Sequence, residues 1–152
     1  MNRIERIFEL AQQSVDRFDV FKPRGQGGGN KVTNVAMAHL SDLVQNEFGQ
    51  NVVQQVLCCD NGQSVDFFLE AERTVVEVEF SLSNPYPCLE KDLFKVLLAK
   101  DSGKQIDKLV LIGDPGSLKK HLRPAMRSIV SWAQRRCGLD VAILELKMRA
   151  MD

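Results

Sequence analysis

The sequence predicts a layered α/β fold: a central mixed sheet of about five strands that opens with a β-meander and is flanked by helices. Three observations predict it. Apolar residues recur at helical spacing in two stretches of the first fifty residues, and the period changes to two between Val52 and Phe80. Beyond residue 88, helical segments alternate with short apolar strands. At 152 residues, 44% hydrophobic and 26% charged, the chain suits one domain (1–152) and is neither disordered nor fibrous in composition.

Ile4, Ile7, Phe8, Leu10, Ala11 and Val15 share a helical face, so residues 3–21 read as an amphipathic helix stopped by Pro23. Residues 24–30 (RGQGGGN) predict a flexible glycine-rich loop. A phosphate-binding loop needs Gly directly before Lys and Ser or Thr directly after it. Lys31 instead sits between Asn30 and Val32. A second helix is expected from Asn34 to Phe48, with Thr33 or Asn34 as cap and Gly49 as stop. Its apolar positions are Val35, Ala38, Leu40, Leu43, Val44 and Phe48.

VVQQVLCC, SVDFFLE and TVVEVEF read as three antiparallel strands, joined at Asp60-Asn61-Gly62 and at Ala71-Glu72. Asn84-Pro85-Tyr86-Pro87 cannot continue a ladder. Cys88 to Lys100 reads as a helix with Leu89, Leu93, Val96 and Leu97 inward, and Lys108–Gly113 as a strand covered on both faces. Ser117 to Cys137 is helical in two parts, because Pro124 suits a first helical turn. Gly138 ends it, and Val141 to Leu146 form the last strand.

Twenty basic residues balance twenty acidic ones, so any polyanion partner requires segregated charge. No apolar run reaches the roughly 18 residues of a membrane span, and MNRIERIFEL lacks a signal-peptide layout. A cytoplasmic protein is expected. Cysteines 58, 59, 88 and 137 form no C-x-x-C and, with His39 and His121 distant in sequence, no zinc spacing. They read as small buried hydrophobes.

Acidic residues are concentrated. Six carboxylates lie between Asp60 and Glu79, against one base, Arg73. Val76, Val78 and Phe80 form one face of the third strand, and Glu77 and Glu79 fall on the other. If Ala71-Glu72 is a two-residue turn, Asp66 lies across the ladder from Glu77, on the same face. Three such carboxylates need a proton or a cation between them. An oxygen-only site suits Mg²⁺ or Mn²⁺; a solvated sheet face is the alternative.

Asp66, ten intervening residues, then Glu77-Val78-Glu79, in an α-β-β-β-α-β order, resembles the PD-(D/E)XK nuclease superfamily. That group includes restriction endonucleases, Holliday-junction resolvases and DNA-repair nucleases. The resemblance implies a restriction-endonuclease-like fold and a Mg²⁺-dependent endonuclease acting on DNA, in restriction, repair or mobile-element processes. It makes Asp66 and Glu77 metal ligands. Glu79 stands where most members carry Lys, as in the Glu-x-Glu variants, and is taken as a further ligand or as the residue that orients water. Val65 replaces the usual Pro. The resemblance allows a lysine from the next helix, Lys95 or Lys91, to steady the phosphate, and a further acid from the preceding helix, for which Glu47 is the candidate.

From Pro115 to Leu139 there is no acidic residue, while Lys119, Lys120, Arg123, Arg127, Arg135 and Arg136 fall inside. The first four are expected to contact nucleic acid, since cations that neutralise phosphates give sequence-independent affinity. A phosphate at the helix start near Ser117, and base stacking on Trp132 or Tyr86, are further candidates. Duplex cleavage would favour a homodimer. Two alternatives stand: an inactive nucleic-acid-binding module on the same fold, and a small interaction protein whose charges serve solubility.

Overall fold

Five strands lie side by side in chain order: β1 (Val53–Leu57), β2 (Ser64–Leu69), β3 (Thr74–Glu79), β4 (Lys108–Gly113) and β5 (Asp140–Glu145). The computed structural model describes residues 1–21, 29–58, 62–80 and 85–149, the side chains of residues 29, 30, 85 and 86 excepted. β1, β2 and β3 pair antiparallel, while β3–β4 and β4–β5 pair parallel. The change of direction follows from the connections, because parallel neighbours need a helical crossover.

Helices α1 (Arg3–Arg17) and α2 (Gly29–Phe48) cover one sheet face. The crossover helices α3 (Pro85–Asp101) and α5 (Pro124–Cys137) cover the other, with the short α4 (Ser117–His121) beside α5. Each face has its own core. Ile7, Leu10, Ala36, Leu40 and Val44 meet Phe67, Val76, Val78 and Ile112. Leu89, Leu93, Val96, Met126 and Ala133 meet Phe68, Val75, Leu109 and Leu111. Each large aliphatic side chain so buried contributes about 1.5–3 kcal/mol. Alternation along β3 thus sends Val76 and Val78 to the first core, and Val75 to the second.

Several expectations need correction. α2 starts at Gly29, so Thr33 and Asn34 lie inside the helix rather than capping it, and the glycine-rich segment gives up its last two residues. The buried stripe of α2 is Ala36, Leu40 and Val44, at i, i+4 and i+8; Val35 and Ala38 are exposed. α3 starts at Pro85, not Cys88, with both prolines in its first turn, where a missing N–H costs nothing. β1 stops at Leu57, and α1 ends at Arg17.

The Ala71-Glu72 corner is a tight turn: Arg73 N–H donates to Glu70 O at 3.0 Å, and Leu69 pairs with Thr74. Gly138, at φ 60°, ends α5 in the left-handed region. Cys58 is buried, and Cys88 and Cys137 are half-buried. Pro23, residues 24–28, Cys59 and the Asp60-Asn61 corner lie outside the described residues. Among the described residues no helix is long and apolar enough to cross a membrane.

Candidate functional site

β2 and β3 part company at one point. Their ladder stops at the Phe67–Val76 pair, whereas β3 continues beside β4 as far as Glu79–Gly113. Asp66 stands at this fork. Its Oδ2 accepts the Val78 backbone N–H at 2.9 Å, replacing a strand partner, and Gln55 Nε2 approaches Oδ1 at 3.4 Å. The Asp66–Glu77 pairing expected from the sequence would fall one residue beyond the last observed pair, so the two residues are not ladder partners.

Helix α3 closes the site from above. Asp92 and Lys95 lie three residues apart, on the same helical face as Leu89, Leu93 and Val96, and are carried inward with them. Lys95 Nζ lies 2.8 Å from Glu77 Oε1, 3.0 Å from Ser64 O and 3.6 Å from Asp92 Oδ1. The exposed Lys91 reaches Glu79 Oε1 at 3.8 Å. Asp92 is fully buried, and neither of its carboxylate oxygens has an N–H or O–H donor in hydrogen-bonding geometry among the described residues.

Four carboxylates therefore share one buried ammonium and one exposed one. Burial, with Asp66 and Asp92 as neighbours, pushes Glu77 up to about 10; Lys95 pulls the other way. Burial and Glu79 push Asp92 up to about 7. Glu79 is raised by burial too, with Lys91 opposing. Burial alone would lower Lys95, but Glu77, Asp92 and Asp66 together outweigh it and hold Lys95 above its ordinary value. The cluster retains a proton at neutral pH, shared among coupled groups.

The donor chemistry fits a hard divalent cation: oxygen ligands only, acid in excess of base, and two buried oxygens of Asp92 without donors. Among the described residues, no group of three or more His, Cys, Asp or Glu side chains is gathered tightly enough to hold a metal ion. Lys95 lies among the carboxylates instead, bridging Glu77 and Asp92.

Asp66, Glu77, Glu79 and Lys95 thus come together, with Lys91 at the rim. Glu47 does not join them. It lies on α2, across the sheet, bound to Arg6 at 2.8 Å. Asp92 is the member that sequence reasoning missed; it sits on the inward stripe of α3 with Leu89, Leu93 and Val96.

Lys119, Arg123, Arg127, Arg135 and Arg136 are exposed and make no ion pair among the described residues; Lys120 is half-buried. Ser117 is buried, which removes it from any exposed phosphate contact, and Trp132 is exposed. The Tyr86 side chain lies outside the described residues. No protein-family model, curated protein or solved structure matches this chain.

Proposed function

We propose that the chain is a divalent-metal-dependent phosphodiester hydrolase of restriction-endonuclease-like fold, acting on DNA. The observation that carries this reading is the carboxylate cluster of Asp66, Glu77, Glu79 and Asp92 around Lys95, at a fork in the sheet. Asp66, Glu77 and Glu79 would hold Mg²⁺ or Mn²⁺. Such an ion, when bound, polarises a phosphate oxygen and makes a coordinated water more acidic.

The chain's own groups have separate tasks. Glu79, which is less buried than Glu77, orients the attacking water. Lys95 supplies a fixed positive charge beside the phosphate, where negative charge develops. Lys119, Lys120, Arg123 and Arg127 hold the backbone of the nucleic acid without reading its sequence.

A second reading is favoured by the Lys95–Glu77 contact itself. Lys95 already occupies the place beside Glu77, 2.8 Å from its Oε1, as expected of a nucleic-acid-binding module that does not cut. Incubating the protein with plasmid, single-stranded DNA and RNA, each in Mg²⁺, Mn²⁺ or EDTA, decides between them. Metal-dependent cleavage of DNA is expected; binding without cleavage in every metal would establish the second reading.

A further inference from the structure

The two edges of the sheet are built differently. β1 carries Gln55 at φ 51°, a kink that discourages a further strand. β5, the opposite edge, has no such device: DVAILE contains no proline, no lysine and no left-handed residue. Asp140 and Leu146 donate their N–H groups toward β4, to Asp107 O at 2.9 Å and Gly113 O at 2.8 Å. Strand alternation then turns the N–H groups of Val141, Ile143 and Glu145 outward.

Beside that edge, between α4, α5 and β5, runs a groove of about 330 Å³. Leu118, Leu122, Val130, Val141 and Ile143 line it, with Arg127 among them. Leu118 is 44% exposed and Leu122 64%.

We propose that β5 and this groove accept an extended, acidic segment of a partner protein as a sixth strand. The outward N–H groups pair with its backbone, and its alternate aliphatic side chains enter the groove. Its carboxylates meet Lys119, Arg123 and Arg127, which are exposed cations in a stretch with no acidic residue. Charge complementarity selects this occupant. A second copy of the chain would bring those cations against themselves. Nucleic acid offers neither strand-forming backbone groups nor aliphatic side chains to a groove of leucine, valine and isoleucine. The inference does not rest on the hydrolase reading, although both use Lys119, Arg123 and Arg127, so the acidic segment and nucleic acid would compete for these cations.

The test is amide hydrogen exchange on the full chain with three probes: an eight-residue peptide alternating Glu with Val, its Lys-Val counterpart, and a duplex oligonucleotide. The Glu-Val peptide should slow exchange at Val141, Ile143 and Glu145 about tenfold or more. The Lys-Val peptide should not. Arg127→Glu should weaken the Glu-Val peptide about tenfold with the melting temperature unchanged, since Arg127 is exposed. The proposal is overturned if millimolar Glu-Val peptide leaves those amides unprotected, or if both peptides protect them equally. It is likewise overturned if the oligonucleotide protects them, or if protection in the free chain rises with its own concentration.

Discussion

Lys95 Nζ stands 2.8 Å from Glu77 Oε1, and both side chains are almost wholly removed from water. The pair joins the crossover helix to the central strand through charge, with the fully buried Asp92 beside it. Removing one partner strands the other in a poor solvent for ions. Lys95→Ala should therefore destabilise the fold by about 3 kcal/mol or more, read by urea denaturation. Adding Glu77→Gln to it should recover part of that loss. Losses that simply add would show that the pair is not coupled.

Stability should depend on pH in a direction opposite to that of most carboxylates. Glu77 and Asp92 are held above their ordinary values, to about 10 and about 7. The folded state thus binds more protons than the unfolded chain, and stability falls as pH rises from about 4 toward the raised values. The melting temperature should be higher at pH 5.5 than at pH 8.5, by several degrees for each 1 kcal/mol or so lost. The Glu47–Arg6 pair does not mask this, because Glu47 is lowered by its Arg6 hydrogen bond and is ionised across that window. Asp92→Asn should flatten the profile. An unchanged slope in that variant would remove Asp92 from the account.

Much of this arrangement was legible in the sequence, for a reason that applies residue by residue. Two-residue alternation in TVVEVEF fixes which side chains share a face, and the short Ala71-Glu72 corner fixes the register as far as Phe67–Val76, beyond which Asp66 is a neighbour of Glu77. Both signals are local. The position of Glu47 is not, since it depends on which side of the sheet α2 lies, and no spacing within α2 encodes that. Asp92 was missed because helical patterns are read for apolar residues, and a buried carboxylate is visible only once its neighbours are known. The start of α2 was misplaced because glycine and asparagine favour loops, and the helix extends over them regardless.

Divalent cations should raise the melting temperature of the native chain at millimolar Mg²⁺ or Mn²⁺ by mass action. Asp66→Asn and Glu77→Gln should lose that gain together with DNA cleavage. Glu77→Gln also leaves the buried Lys95 ammonium without its nearest carboxylate, so it should be less stable than the native chain in EDTA. Asp66→Asn is a sharper case: Oδ2 accepts the Val78 N–H, a hydrogen bond that an amide oxygen preserves. On the nuclease reading proposed above, Glu79→Lys should retain cleavage. Equal melting with and without metal in the native chain would remove the cation from the mechanism.

Lys119→Ala with Arg123→Ala should weaken DNA binding and reduce the slope of log K against log salt by about 2, roughly one for each phosphate left without its cation. Both side chains are exposed and unpaired among the described residues, so thermal stability should stay within about 0.5 kcal/mol. An unchanged salt slope would confine these cations to solubility.

The parallel pairing of β3 with β4 has a kinetic consequence. Asp66, Glu77 and Glu79 lie on a meander whose strands are neighbours in sequence, and such local pairings form early in folding. Lys91 and Lys95 arrive only with α3, which is anchored once β4, separated from β3 by the whole of that helix, has closed its ladder on β3. Until then the acids face one another without their counter-ions. The nascent sheet therefore carries an electrostatic barrier that docking of the crossover helix discharges. Acidic conditions or added salt should accelerate this step in a stopped-flow refolding experiment, and Lys95→Ala should slow it.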